Sequence, residues 1–306
     1  MIVTVTANPA YDVTYELPSL TPGDVHRVET VHQRPGGKGV NVAAVLTQLG
    51  EPVIATGLSS VAFAADLAAL GVNESFVTAL PHVRRTLAVV EPGRTTSLWE
   101  PGAAVPEGAG ARLRAHVDTL LVGATCLVLS GSLPPGLPPT TYADLATRAV
   151  RRGVPVLVDT SGPALLAAAQ VPGVVLMPNV DELAELSGGS ADLVAASRRL
   201  VDSGVGAVIA TRGAEGLVVT TIAGSWAAVP PEPVAGNPTG AGDAAAAAVA
   251  RGLATGTPPE DLAADAVVVS AAAVASPVAG AVDEHLMRAW QGRVVVTPLV
   301  PITERA

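Results

Sequence analysis

"TTYADLATRAVRRGVPVLVD", residues 140–159, decides the fold. Its first part belongs to a helical segment read as 138–152, and its last part, 154–159, is a β-branched run that is almost entirely apolar. A strand with one wet face alternates apolar and polar side chains; a run without that beat has both faces covered, as in a parallel sheet between helices. The same pairing recurs along the chain. Strands are read at 2–7, 52–56, 125–130, 154–159, 174–178, 206–212 and 215–221. Helices are read between them at 39–49, 61–70, 106–121, 138–152, 191–203, 240–255 and 259–275. This series predicts an α/β fold built on a mostly parallel sheet.

Two regions break the series. Residues 11–34 and 84–100, with "YDVTYEL", "HRVETVHQR" and "RRTLAVVE", alternate apolar with polar or charged side chains. They are read as a small β-layer inserted over the main domain, serving as a lid, a dimer surface or both. No internal repeat and no long linker divides the chain, so residues 1–306 are read as one domain. The tail from Val294 is read as a surface strand followed by a frayed end.

Composition narrows the function. The chain of 306 residues is 49% hydrophobic and only 15% charged, which argues against disorder. A net charge of −9 opposes a nucleic-acid partner and means that an anionic ligand has to be drawn in by local groups. Cys126 is the only cysteine, so no intrachain disulfide and no thiolate cluster is expected, and its apolar run marks it as a core residue. The start "MIVTVTANP" has neither the basic nor the long apolar region of a secretory leader. Residues 266–282 carry no charge but include Ser270, Ser276, Pro277 and Gly280, and read as a buried helix rather than a membrane span. A cytoplasmic protein without a membrane partner is expected.

Six stretches carry chemistry. In "GNPTGAGDAAAAAVARG", residues 236–252, Gly240 and Gly242 permit close backbone approach, Thr239 is placed to cap, and an alanine-rich helix follows. Unpaired amides at such a helix start form an anion site, beside which Asp243 makes sense as a base; complementing the helix dipole is the plainer reading. In "RPGGKGVN", residues 34–41, glycines 36, 37 and 39 surround Lys38, the only lysine beside 17 arginines. A flexible point charge at a glycine-loosened helix start suits a phosphate, and Asn41 offers an amide to a hydroxyl. In "MPNVDELAEL", residues 177–186, Asn179 and Glu182 are spaced either as a capping box or as oxygen ligands of magnesium. "ATRGAEG", residues 210–216, is a glycine-flanked turn after a strand, where open sheets bind nucleotide. "SGSLPPG", 130–136, and "NPAYD", 8–12, follow other strands, so one crevice at the carboxyl edge can collect all of them. The five histidines lack zinc-site spacing, and Lys38 is followed by glycine, so the Walker pattern is absent.

Taken together, "TANPAYDVTYEL", "PGGKGVNVA", "SLWEPG", "SGSLPPG", "PNVDEL", "TRGAEG" and "NPTGAGDA" resemble, in order and nearly end to end, the ribokinase-like (PfkB) carbohydrate kinases. The GGKG and SGSLPPG runs are similar to the branch holding 1-phosphofructokinase and tagatose-6-phosphate kinase. That resemblance implies a three-layer α/β/α sandwich with a β-lid and transfer of a phosphoryl group from ATP to a ketohexose phosphate, fructose 1-phosphate first and tagatose 6-phosphate or fructose 6-phosphate next. It implies Asp243 as catalytic base with Gly240, Ala241 and Gly242 as anion hole. Asp12 and Asn41 would hold sugar hydroxyls; Gly37 and Lys38, with Arg84 or Arg85 of the lid, would meet the sugar phosphate, and Ser132 would contact the substrate. Thr211, Gly213, Gly216 and Thr239 would bind nucleotide, and Asn179 with Glu182 would serve magnesium. ATP, magnesium and a monovalent cation are the implied cofactors, and a homodimer through the lid is the implied assembly. A kinase for an unphosphorylated sugar or nucleoside, or a non-catalytic sugar-phosphate sensor, are the rival readings. The chain departs from the family pattern at Met177, at Arg212 and at Ser59–Val61.

Overall fold

The computed structural model describes residues 1–276 and 278–301. The first half of the chain forms β1 (Ile2–Thr6), β2 (Ala10–Glu16), β3 (Thr30–Gly36), α1 (Lys38–Gln48), β4 (Val53–Ser59), α2 (Val61–Ala69), β5 (Val77–Thr78), β6 (Arg84–Glu91), β7 (Arg94–Trp99), α3 (Ala109–Leu120), β8 (Cys126–Ser130) and α4 (Thr141–Val150). The second half forms β9 (Val156–Asp159), α5 (Gly162–Ala168), β10 (Val175–Leu176), α6 (Val180–Leu186), α7 (Leu193–Asp202), β11 (Ala207–Thr211), β12 (Leu217–Thr221), β13 (Gly224–Val229), α8 (Ala241–Thr255), α9 (Pro259–Ala275), α10 (Glu284–Trp290) and β14 (Val295–Pro301).

The main sheet has ten strands in the order β14-β13-β12-β11-β10-β9-β8-β1-β4-β5. From β5 to β11 every neighbouring pair is parallel, and β12, β13 and β14 extend it antiparallel. Successive strand residues feed opposite faces, as the pleat requires. Ile2, Cys126, Val128 and Leu157 pack beneath α1, α8 and α9, while Val3, Val5, Leu127, Leu129, Val156 and Val158 pack against α3, α4 and α5. This makes three layers, and it explains why the central strands carry no polar beat. The alanine run of α8 is wholly buried, which lets this helix lie close to both the sheet and α9. Cys126 lies in the first core, fully buried, with its thiol pushed up to about 12 by burial.

The second sheet has the order β3-β2-β6-β7, formed by the two alternating regions. It joins β2 and β6 in parallel and adds β3 and β7 antiparallel at the edges.

Several sequence expectations shift. The helices read from 106, 138 and 191 begin at Ala109, Thr141 and Leu193, because proline-rich or polar turns precede them. The helix read at 259–275 is realised as α9, so the uncharged stretch 266–282 is helical only as far as Ala275, and among the described residues no helix is long and apolar enough to cross a membrane. β13, α5 and α10 lie in stretches given no element by the sequence reading. The tail does begin with a strand, β14, while the end expected to fray lies outside the described residues.

Candidate active site

Two of the helices with a glycine N-cap, α1 and α8, begin beside one another at the carboxyl edge of the sheet. Gly37 caps α1 at φ 100° and Gly240 caps α8 at φ 85°, both in the region that side chains disfavour. Thr239 does not cap: no side chain caps α8, and Thr239 is exposed with its amide donating to Asn237 Oδ1 at 3.0 Å. The amides of Gly242 and Asp243 donate to nothing among the described residues, and a side chain at 242 would project into open space. That is the arrangement an incoming anion needs.

The two helix tips meet. Asn41, one turn into α1, donates its Nδ2 to Asp243 Oδ2 at 2.9 Å, and both side chains are buried. Burial is the main reason that the Asp243 carboxyl is raised to about 7; Asp159 and Asp12 push in the same direction, while Lys38 and Asn41 oppose it. The carboxyl is therefore poised near neutrality, where a general base works best.

Lys38 donates to Asp159 Oδ1 at 2.7 Å. Burial alone would lower the ammonium, but Asp159, Asp243 and Glu182 outweigh it and hold Lys38 above its ordinary value. Asp159 ends β9, in register with Ser130 at the end of β8, and its carbonyl accepts from the Gly131 amide at 2.8 Å. A side chain at Gly131 would lie 3.6 Å from the Lys38 Cβ, so the lysine stem runs along this strand end. Lys38 thus ties the start of α1 to the end of β9, within electrostatic reach of Asp243 and Glu182.

Beyond Asn41 lies the second sheet, the one expected to serve as a lid. Asp12 on β2 pairs across the sheet with Arg34 on β3 and Thr86 on β6, so all three share one face. Thr86 Oγ1 donates to Asp12 Oδ1 at 2.5 Å. Burial raises the Asp12 carboxyl, against the pull of Thr86, Arg34, Arg84 and Asn41. Arg84 shares that face and donates to the carbonyls of Glu100, at 3.0 Å, and Asn8, at 3.4 Å. Arg85, one residue on, points to the opposite face, is exposed and is held by Glu100 at 2.8 Å. The structure therefore places Arg84 on the Asp12 face of this sheet and Arg85 on the other. Ser132 accepts from Asn8 Nδ2 at 3.1 Å, just past the end of β8.

On the far side of α8 lies a cavity of about 410 Å³ whose lining includes Thr211, Gly213, Gly216, Ala241, Gly242 and Val267. Its mostly apolar walls, ending at free helix amides, suit a flat heterocycle with a charged tail. Thr239 is not among the lining residues.

Asn179 and Glu182 form a complete capping box at the start of α6: Asn179 Oδ1 accepts from the Glu182 amide and Glu182 Oε2 from the Asn179 amide, each at 2.9 Å. The plainer sequence reading is thus realised in the geometry. Glu182 Oε1 has no partner among the described residues, and burial raises this carboxyl near Lys38 and Asp159. No group of three acids, histidines or cysteines is arranged to hold a metal among the described residues.

Asp159, Arg34 and Asn8 belong to the site although sequence reasoning did not single them out. Each had one usable signal. Asp159 ends an otherwise apolar strand, Arg34 lies one proline before the glycine run, and Asn8 follows the first strand.

Comparison with known proteins agrees with this geometry. The family model described as "pfkB family carbohydrate kinase" matches residues 3–285. A 1-phosphofructokinase from Xanthomonas campestris pv. campestris is 36% identical over 265 residues, covering 82% of this chain and 83% of that protein. Phosphofructokinase-2 from Escherichia coli, solved in complex with potassium, superposes with a TM-score of 0.89 at 28% identity over 95% of this chain and 98% of that one. The same enzyme in complex with fructose-6-phosphate gives a TM-score of 0.87 at 28% identity, again over 95% and 98% of the two chains. With a family match across most of its length, a three-layer α/β/α architecture and a glycine-led carboxylate where two helix tips meet, this chain belongs to the pfkB family of carbohydrate kinases.

Proposed function

We propose that this protein transfers the γ-phosphoryl group of ATP to a primary hydroxyl of a ketohexose phosphate, with fructose 1-phosphate as the preferred acceptor. The observation that carries the reading is the Asn41–Asp243 hydrogen bond beside Lys38, which sets a base, an amide and a cation around one point between the lid and the nucleotide cavity. The acceptor oxygen attacks phosphorus, the bond from phosphorus to the ADP oxygen breaks, and the hydroxyl proton passes to an Asp243 oxygen. Phosphoryl transfer needs positioning and charge neutralisation more than covalent help. The free amides at the start of α8 and the Lys38 ammonium meet the charge on the group in flight.

This assigns the sugar's existing phosphate to Arg84. Lys38 is held at the end of β9 by Asp159, whereas Arg84 lies on the lid face with Asp12, where a sugar hydroxyl binds. Ser132 and the Gly37 backbone complete that end. Thr211, Gly213 and Gly216 seat the nucleotide, with Thr239 at most a neighbour of the cavity.

Magnesium fits the residues present in a limited way. An ion carried by ATP phosphates needs only one or two protein carboxylates, and the partnerless Glu182 Oε1 supplies one while Asn179 fixes its rotamer through the capping box. When bound, the ion neutralises phosphate charge.

The lid's edge strands leave Val31, Leu98 and Trp99 exposed, at 52%, 56% and 76%. Apolar side chains on open sheet edges support pairing of two copies through the lid.

Kinetics with fructose 1-phosphate, fructose 6-phosphate and tagatose 6-phosphate, side by side in a coupled ADP-release assay, test the reading. The highest kcat/KM is expected for fructose 1-phosphate. Equal turnover of an unphosphorylated ketose would sink the sugar-phosphate assignment.

A further inference from the structure

Arg34 is a lid side chain that hydrogen-bonds the turn after α9, on the other side of Asp243. It sits on β3 directly beside Asp12, and its Nη1 donates to the carbonyl of Ala279 in the turn after α9. That turn is the backing of the anion hole. A side chain placed on Gly240 would lie 2.9 Å from Ala279 Cβ and 3.4 Å from the Gly280 amide nitrogen. One placed on Gly280 would lie 2.8 Å from Arg34 Nη2 and 3.1 Å from Asn41 Oδ1. Asn41 in turn bonds Asp243. The contacts close a ring that runs from Asp12 through Arg34, the 279–280 turn and Gly240 to Asp243, and back through Asn41.

We propose that Arg34 is a positioning residue that couples occupancy of the lid to the order of the anion hole. The role rests on the sugar-phosphate kinase reading and deepens it. A sugar hydroxyl held by Asp12 fixes β3, and Arg34 then presses the Ala279–Gly280 turn onto Gly240, so that the amides of Gly242 and Asp243 are aimed only when an acceptor is present. An arginine suits this task because its planar fork keeps donors for a carbonyl on one side while lying along a carboxylate on the other. Without the clasp, the lid and the α8 tip close independently, and water replaces the acceptor in a share of turnovers.

The test compares wild type with Arg34→Met and Arg34→Lys, using the ketohexose phosphate that wild type turns over, and measures both ADP released and bisphosphate formed. Arg34→Met is expected to lose about ten- to a hundredfold in kcat/KM, the scale of a small misplacement of reacting groups. It is also expected to release more than one ADP per bisphosphate, with Arg34→Lys partly restoring the one-to-one ratio. A merely structural role would lower activity while leaving the ratio at one, and that result overturns the proposal, as does unaltered kcat/KM. Hydrogen exchange on wild type is the second arm and is independent of any folding defect. Adding the sugar phosphate alone is expected to slow exchange at 240–243 and 278–282 together with β3, and protection confined to the lid overturns the coupling. A wild type that turns over none of the three sugar phosphates faults the substrate reading, whereas a one-to-one ratio in Arg34→Met faults only Arg34.

Discussion

The tips of α1 and α8 are built alike and charged oppositely. Each starts from a glycine N-cap with positive φ, and neither has a side-chain cap. Yet α1 opens with a lysine and has no acid in its first turn, whereas α8 places Asp243 there. The helix dipole favours an acid at such a position and disfavours a cation. The α8 tip therefore follows local preference in charge, and burial is what disturbs it. The α1 tip runs against local preference, and a distant residue, Asp159, compensates. A cation held where its own helix repels it has to be fixed from outside. That is why the Lys38–Asp159 pair spans 121 residues of sequence.

Removing either charge breaks the comparison. Asp243→Asn keeps the Asn41 contact and loses the proton acceptor, so kcat should fall about a thousandfold or more with ligand binding intact; near-normal turnover would remove the base assignment. If Lys38 meets the group in flight, as proposed, Lys38→Met is expected to lower kcat by about a hundred- to a thousandfold with a smaller change in the sugar KM. A change confined to the KM of the phosphorylated sugar would return Lys38 to the sugar phosphate and displace Arg84. Arg84→Met should raise that KM about tenfold or more while Arg85→Met changes it by less than about twofold, since only the first shares the Asp12 face.

Two milder effects sharpen the contrast. In the free enzyme kcat/KM should climb with pH and level off above about 7, as Asp243 loses its proton; a flat profile from pH 5 to 8 would contradict the poised carboxyl. The stability effect has a defined sign. Asp243 is raised in the folded state above its unfolded value, so the folded protein holds more protons and loses stability as pH rises from about 4 to 7. Asp243→Asn removes that penalty. Its melting temperature, without ligand, should exceed that of wild type by a few degrees at pH 8 and by less at pH 5.

Most of the sheet was legible because buried parallel strands such as β8 and β9 carry their burial in composition. The glycine-led tips were legible too, since 36–39 and 240–243 advertise close backbone approach in the sequence. What stayed hidden depends on tertiary partners. The seven-residue helices α5 and α10 are too short to announce themselves and are held by packing. Thr239 looked like a cap by type, but the turn assigns that place to Gly240, whose conformation threonine disfavours. Asp159 and Arg34 read as a strand end and a polar beat in a wet strand, because nothing local shows that one holds Lys38 and the other reaches Ala279. Asn179 and Glu182 carry two meanings at once, and the capping box satisfies the structural one without consuming Glu182 Oε1.

The solitary thiol has a practical corollary. Cys126 is sealed beneath α8 and stays protonated at any ordinary pH, so it is inert to maleimides and similar reagents while the protein is folded. A cysteine introduced in the exposed loop between β2 and β3, for example Val25→Cys, would be the sole reactive sulfur. A fluorophore attached there would report opening and closing of the cleft in real time, with no background label to subtract.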